Sequence, residues 1–170
     1  MLFRSEAATR ALMAARDRGL TKTIGMSNIN ADEFRTVWEV SEGTLAFLEN
    51  ERSPRYRDHS EVLDLCTEHG VVYLAWSPLG GKKDARRIGE VVPVFEQVAQ
   101  RHVINGRTAT AQQVALAWLL TQSPVMLPIP AFTRTATAQA SADAVGLVLS
   151  SEDLELLNSG NYRSESVYPD

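Results

Sequence analysis

Four places in the chain lie at the ends of segments that are predicted to be β-strands, and three of them carry polar or aromatic side chains. They are Ser27-Asn28, Glu49-Asn50, Trp76-Ser77 and Ile129-Pro130. Active sites of parallel sheets lie at the carboxyl ends of the strands, so we expect these four places to share one rim. The sequence therefore concentrates its candidate chemical groups at a single edge of the predicted sheet.

Two carboxylates, Glu49 and Glu51, stand two residues apart at the end of one predicted strand. Their Cα atoms would be about 6.6 Å apart on one face of an extended strand, a spacing that also suits the acid pair of a glycosidase. The residues alone leave this alternative open, although the family resemblance given below accounts for the same positions.

Histidine and cysteine do not form a metal or nucleophile pattern. His59, His69 and His102 share no metal-ligand spacing and no cysteine cluster accompanies them, so we predict no metal site. Cys66 falls on the inner side of a predicted amphipathic helix and is the single cysteine of the chain. A lone cysteine forms no internal disulfide, so we expect a buried, inert thiol and a reducing, cytoplasmic location.

Composition and charge exclude several classes of protein. The chain has 170 residues, 44% of them hydrophobic, and a formal net charge of -4. A weakly acidic chain without a dense basic face is not expected to bind nucleic acid or an acidic membrane. No apolar run approaches about 18 residues, so no membrane-spanning helix is predicted. Charges at Arg4, Glu6 and Arg10 argue against a secretory signal.

The hydrophobic pattern predicts one helix followed by four rounds of strand and helix. The predicted strands cover residues 21–26, 44–49, 71–76 and 125–129, and the predicted helices cover residues 5–18, 31–40, 60–68, 94–102, 110–122, 133–145 and 151–157. Residues 80–89 are predicted to be a mobile, basic loop, and residues 159–170 a flexible tail. Asn30 or Ser27 is the predicted N-cap of the helix over residues 31–40, and Thr110 that of the helix over residues 110–122. Right-handed parallel crossovers are the default for this order.

The predicted fold class is α/β, with four parallel strands and their flanking helices in one domain over residues 1–158. An eight-stranded barrel of this kind typically needs about 250 residues, so the pattern corresponds to half of a TIM barrel. The open sheet edges near Ile24 and Val125 expose unpaired backbone groups, which predicts self-association or marginal stability.

Five separated motifs agree in order and spacing with one known family. They are Gly25-Met26-Ser27-Asn28, Leu48 to Ser53, Ala75 to Gly81, Gln112 to Trp118, and Pro128-Ile129-Pro130 followed by Thr133-Arg134. Over residues 5–158 the chain resembles the C-terminal half of an aldo-keto reductase. The resemblance implies strands five to eight of a (β/α)8 barrel in an oxidoreductase that uses NADP(H) to reduce aldehydes or ketones.

The resemblance also implies a role for several residues at the nicotinamide end of the cofactor. Ser27 and Asn28 match the pair that hydrogen-bonds the nicotinamide carboxamide. Glu49 stands where the family usually has a glutamine for the same amide, so a donor is lost and a charge is added. Trp76 occupies the position of an aromatic residue that stacks on the nicotinamide ring.

At the other end of the cofactor the resemblance implies contacts to phosphate. The loop that closes over the pyrophosphate corresponds to Ser77, Pro78, Leu79, Gly81 and Lys82, where small residues let backbone amides approach. Thr133 and Arg134 match the residues that bind the adenosine 2′-phosphate. The neighbouring Ala131 and Phe132 depart from the family, which usually has a glycine and a small residue there.

The family's proton donor is the main departure. Reduction of a carbonyl needs an acid for the developing alkoxide, and the resemblance implies a tyrosine with a lysine, an aspartate and a histidine from the first half of the barrel. The 170 residues hold no match to that set, since Tyr56 lies in a predicted loop and Tyr73 in a strand. We therefore predict no catalytic residue in this chain and no carbonyl turnover by it alone.

Two functions follow as expectations. In the first, the chain is part of an NADP(H)-dependent enzyme that an N-terminal half-barrel chain completes. In the second, it is a non-catalytic nucleotide-binding or regulatory module. A homo-oligomer formed through the open sheet edges is the alternative partner.

Overall fold

The alternation of strands and helices that the sequence predicts is present in the computed structural model, which describes residues 2–57, 61–159 and 166. The helices are α1 (Leu2–Asp17), α2 (Ala31–Val40), α3 (Val62–His69), α4 (Gly81–Asp84), α5 (Ile88–Val91), α6 (Pro93–Ala99), α7 (Ala111–Leu120), α8 (Thr135–Asp143) and α9 (Ser151–Asn158). The strands are β1 (Ile24–Ser27), β2 (Leu45–Glu51), β3 (Val72–Trp76), β4 (Val103–Ile104), β5 (Arg107–Thr108) and β6 (Met126–Pro128). The predicted flexible tail lies outside the described residues, apart from Ser159 and Ser166.

The chain divides into two compact units. The first comprises Met1–Asn50 and Asp58–Leu74, and the second comprises Glu51–Arg57 and Ala75–Asp170. In the first unit β1, β2 and β3 are neighbours in that order, and β1 runs parallel to β2. In the second unit the end of β3 pairs with β6, where the Ile129 N–H donates to the Ala75 carbonyl oxygen at 3.0 Å. The four predicted parallel strands are thus all present.

A capping box begins α2 in the first unit. The Asn30 side chain accepts from the Glu33 N–H at 3.0 Å, and the Glu33 carboxylate accepts from the Asn30 N–H at 3.1 Å. These bonds satisfy amides that a helix start leaves unpaired. Of the two caps that the sequence predicts, Asn30 or Ser27, the structure has Asn30. Phe34 and Val37 of α2 are fully buried, and so is Leu48 of β2.

The Cys66 side chain belongs to the core of the first unit. It is fully buried on α3, next to the equally buried turn that carries Val62. Burial raises the pKa of its thiol to about 12, because the apolar surroundings disfavour the thiolate. The structure thus confirms the predicted burial.

We expect the native protein to leave Cys66 unmodified by a disulfide reagent such as DTNB at pH 8. The thiolate is the reactive species, and burial removes both the thiolate and access to it. The same reagent should titrate one thiol per chain once guanidinium chloride unfolds the protein. Rapid modification under native conditions would show that α3 opens or that the thiol is exposed.

The core of the second unit forms around α7. Thr110 caps this helix in a capping box with Gln113, as the sequence predicts for Thr110. The Trp118 ring is fully buried and meets the Phe95 ring edge to face, with centroids 5.7 Å apart. Aromatic pairs in this arrangement contribute about 0.5–1.5 kcal/mol beyond the apolar area they bury.

The predicted loop over residues 80–89 is wrong, because α4, a 3-10 turn (Ala85–Arg87) and α5 occupy it. Of the glycines that suggested a loop, Gly80 and Gly81 lie at the start of α4, and Gly89 lies within α5. Tertiary contacts then hold the segment: the Gln112 side chain donates to the Ala85 carbonyl oxygen at 3.1 Å, and Ile88 is fully buried. The sequence of residues 80–89 alone could not predict these contacts, because Gln112 is 27 residues away from Ala85.

A short hairpin, β4–β5, was not predicted. Its strands pair antiparallel, and the connecting residues Asn105 and Gly106 have φ values of 53° and 76°. Two successive residues in the left-handed region are typical of the type I′ turn that Asn-Gly favours. The Asn105-Gly106 pair therefore indicates this hairpin in the sequence, although the hydrophobic pattern does not.

Over the described part of the chain, no helix has the length and apolar character needed to cross a membrane.

Candidate functional site

The ends of β1 and β2 meet in the first unit at three of the predicted site residues. The register pairs Ser27 with Glu49. The Ser27 hydroxyl and the Asn28 N–H both donate to the Glu49 carbonyl oxygen, each at 3.0 Å. Two bonds to one acceptor fix the direction in which the chain leaves β1.

Asn28 adopts a backbone conformation that few side chains tolerate. Its φ is 54°, in the left-handed region, where asparagine is enriched and β-branched residues are strained. Ser27 and Asn28 are both exposed, and Glu49 is half-buried. The turn therefore presents a hydroxyl, a side-chain amide and a carboxylate on neighbouring strand ends, which is a set able to bind an amide group.

Asn50 holds this turn in place, although it was not among the predicted site residues. Its side-chain oxygen accepts from the Ile29 N–H at 3.2 Å, and its side-chain nitrogen donates to the Ile29 carbonyl oxygen at 2.8 Å. Asn50 is 6% exposed and Ile29 is 5% exposed, so water does not compete for these bonds. These two hydrogen bonds show that the Asn50 side chain faces the backbone of Ile29, directly after Asn28. The sequence alone does not show this contact, because the two residues lie on different strand ends.

Gly25 leaves room for an aromatic ring on the same two strands. Gly25 pairs with Phe47, two residues before Ser27 and Glu49 respectively. A Cβ on Gly25 would lie 2.2 Å from the nearest carbon of the Phe47 ring, well inside contact distance. The glycine is thus required by the close approach of Phe47.

In the second unit the end of β3 leads into a tight turn. Trp76 is half-buried, and the next residue, Ser77, has a φ of 47°. The Gly80 N–H donates to the Ser77 carbonyl oxygen at 2.9 Å, so Pro78 and Leu79 form the corner of the turn. The predicted phosphate-binding residues therefore lie in a defined turn.

The residues after that turn form α4, and a salt bridge between Asp84 and Arg55 stabilises this helix. Gly80 and Gly81 have φ values of 82° and 80°, a conformation that favours glycine. Asp84 at the end of α4 is buried and forms a salt bridge with Arg55. Lys82 is exposed on α4. The structure thus places an exposed cation directly after two glycines, of which Gly80 is buried and Gly81 is half-buried.

The last predicted site residues, Thr133 and Arg134, precede α8 in the second unit. Both are exposed, and Arg134 is the N-cap of α8 with an extended backbone. The Arg134 carbonyl oxygen accepts from the Ala138 N–H at 3.1 Å, so its side chain stands where the helix begins. The amides of a helix start favour anions, and a guanidinium adds charge.

Two of the three histidines contact defined protein partners. His69 stacks on Trp38 with ring centroids 4.4 Å apart, and Nε2 of His102 lies 2.9 Å from the Asp153 carboxylate. Burial alone would raise the pKa of Asp153, but hydrogen bonds from Ser150 and His102 outweigh it and lower the pKa. In the described ranges no three His, Cys, Asp or Glu residues cluster as metal ligands do. His59 lies outside these ranges.

Comparison with known proteins gives a family match over nearly the whole chain. The model of the Aldo/keto reductase family matches residues 3–161. Pyridoxine 4-dehydrogenase of Escherichia coli is 30% identical over 153 residues, which cover 90% of this chain and 49% of the relative. Glycerol 2-dehydrogenase (NADP(+)) of Hypocrea jecorina is 30% identical over 126 residues, which cover 72% of this chain and 38% of the relative.

A solved structure gives the same result for the fold. A thermostable aldo-keto reductase, crystallised with the inhibitor epalrestat, superposes with a TM-score of 0.78 at 26% sequence identity. The superposition covers 91% of this chain and 54% of that protein. The chain therefore spans about half the length of the proteins it matches.

Proposed function

Because the chain belongs to the aldo/keto reductase family, we propose that it forms the cofactor-holding, C-terminal half of a barrel that reduces aldehydes or ketones with NADP(H). The two relatives above are named as dehydrogenases, and one name specifies NADP(+). The chain covers 49% and 38% of their lengths, which supports a half-barrel. The proposed partner is a chain or segment that supplies the other half.

The observation that carries this proposal is the fixed turn at Ser27 and Asn28. Two hydrogen bonds to the Glu49 carbonyl oxygen and the Asn50 contacts hold it, while both side chains remain exposed. A preorganised hydroxyl and amide suit the carboxamide of nicotinamide, which both donates and accepts. Glu49 accepts from the carboxamide NH2 group.

The second unit carries, by itself, the residues that we propose for the rest of the cofactor. Trp76 offers a ring for stacking, and the turn from Ser77 to Gly81 offers backbone amides for phosphate. Lys82 offsets charge, and Thr133 and Arg134 bind the adenosine 2′-phosphate. The bound cofactor supplies the hydride, whereas these residues bind and orient it.

No residue of the proposed site is assigned as the proton donor. Tyr73 is fully buried in β3, so its hydroxyl is closed to a substrate. Tyr56 is half-buried in the turn after β2, where its carbonyl oxygen accepts from the Ser53 N–H at 2.9 Å. We propose that the acid comes from the other half of the barrel and that this chain alone binds nucleotide without reducing carbonyls.

The cofactor assignment is tested by titrating the purified chain with NADPH and with NADH. Arg134→Ala should weaken NADPH binding by about tenfold, because it removes a charge-assisted bond to the 2′-phosphate. NADH lacks that phosphate, so its affinity should not change. Arg107→Ala, which removes an exposed arginine of β5, is the matched control.

The assignment would be contradicted if Arg134→Ala lost the same affinity for NADPH as for NADH. It would also be contradicted if this variant bound NADPH as tightly as the parent chain does. Saturable NADPH binding without turnover after the missing half is added would favour the alternative, a nucleotide-binding or regulatory module.

A further inference from the structure

Three arginines follow β2 in the second unit, and two of them have defined partners. Arg55 forms a salt bridge with the buried Asp84. The guanidinium of Arg57 lies over the Trp118 ring, 4.3 Å from its centroid. Both therefore have a structural role, and Arg52 differs from them.

The Arg52 guanidinium lacks a partner in the part of the chain that the structure describes. Of the residues that the structure describes, none forms a hydrogen bond or an ion pair with this side chain, and its Nε atom is buried. The neighbouring carboxylate of Glu51 accepts from the Ser166 hydroxyl at 2.5 Å instead. A half-buried cation with an unsatisfied donor is costly, so its retention needs an explanation.

The backbone places Arg52 at the rim of the sheet. The Arg52 N–H donates to the Trp76 carbonyl oxygen at 3.4 Å, which brings the residue after β2 beside the last residue of β3. Both lie at carboxyl ends of strands, where parallel sheets bind their ligands. Trp76 is the residue proposed above to stack on the cofactor, so Arg52 stands next to the proposed reaction site.

We propose that Arg52 binds an anionic group of the carbonyl substrate, either a carboxylate or a phosphate. A guanidinium presents a planar set of donors that matches two oxygens of such a group, and partial burial strengthens the pairing. The substrate class is thus aldehydes or ketones that carry a negative charge. This inference rests on the proposed function, because it concerns the same site.

The test compares a carboxylate with its methyl ester, in which a methyl group removes the negative charge. The purified chain is titrated in low-salt buffer without phosphate, and binding is followed by tryptophan fluorescence. The probes are 4-hydroxymethylbenzoate and its uncharged methyl ester, which are alcohols of the product type and do not react with lysine. The parent chain should bind the carboxylate at least about tenfold more tightly than the ester.

Arg52→Gln should abolish this preference and leave the ester affinity unchanged. Arg107→Gln removes a charge from exposed β5 and should retain the preference. Arg52→Gln should also keep the melting temperature of the parent chain, because no partner is lost. Arg55→Gln should lower the melting temperature, because it leaves the buried Asp84 unpaired.

Each remaining outcome decides the question. No preference in the parent chain, or an unchanged preference in Arg52→Gln, overturns the inference. A melting temperature that falls in Arg52→Gln as in Arg55→Gln assigns Arg52 a structural role and also overturns it. Inorganic phosphate should compete with the benzoate in the parent chain and not in Arg52→Gln.

The NADPH titration separates this inference from the proposed function. NADPH should bind Arg52→Gln and the parent chain equally, which assigns the anion to the substrate. Weaker NADPH binding in Arg52→Gln would mean that Arg52 holds a cofactor phosphate, and the substrate inference would be wrong. Failure of NADPH to bind the parent chain would refute the proposed function, whereas the charge preference is read without nucleotide.

Discussion

Asn50→Ala should lower the free energy of unfolding by about 2–4 kcal/mol, because two buried hydrogen bonds are lost and their backbone partners are left unsatisfied. Those partners are the N–H and carbonyl groups of Ile29, which is 5% exposed. Urea denaturation followed by circular dichroism measures the change. The variant should also bind NADPH more weakly, since the turn at Ser27 and Asn28 loses its support.

Asn50→Asp separates the two bonds of this residue. The aspartate still accepts from the Ile29 N–H, but at pH 7 its second oxygen faces the Ile29 carbonyl oxygen and repels it. Protonation restores a donor there, so the stability deficit should shrink as the pH falls toward about 4, the ordinary pKa range of a carboxyl group.

A change below about 0.5 kcal/mol in the free energy of unfolding of Asn50→Ala would show that the two bonds contribute little.

Gly25→Ala should destabilise the protein by about 1–3 kcal/mol, because the added methyl group overlaps the Phe47 ring and forces it or the backbone to move. The added Cβ lies 2.2 Å from that ring. The same change should cost less in a Phe47→Leu background, where the side chain is smaller. A double-mutant cycle should give a coupling of about 1 kcal/mol or more.

Gly146→Ala is the control for this pair. No atom lies within 4 Å of the position a Cβ would take there, and Gly146 does not have a positive φ. Alanine is therefore expected to leave stability unchanged or to raise it by up to about 1 kcal/mol through the unfolded state. If alanine destabilised the protein equally at Gly25 and Gly146, the contact with Phe47 would not be the cause of the effect at Gly25.

Much of the fold is predictable from local sequence, because period and capping residues act over a few positions. Asn30 and Thr110 begin α2 and α7 as the sequence predicts, and the four parallel strands occupy their predicted places. The segment from α4 to α5 was not predictable in this way. Its helical turns depend on the salt bridge from Arg55 and the contact from Gln112, both distant in sequence.

The candidate site likewise has residues that the sequence could predict and residues that only the structure reveals. Ser27, Asn28, Trp76 and Arg134 were assigned roles because their residue types and order match a family pattern. Asn50 and Arg52 lie within the Leu48 to Ser53 motif, but the sequence assigned them no role. The importance of Asn50 depends on the backbone it faces, and that of Arg52 on partners it lacks. Neither property belongs to the residue type, so only the structure reveals it.

The most direct test combines two readings on one sample of the purified chain: NADPH binding by fluorescence titration, and oxidation of NADPH at 340 nm after an aldehyde is added. We expect saturable binding and no aldehyde-dependent oxidation. Aldehyde-dependent oxidation would mean that this chain carries its own proton donor, and an absence of saturable binding would mean that its strand ends do not hold the nucleotide. Either result would contradict the proposal that this chain binds the cofactor and takes its acid from the other half of the barrel.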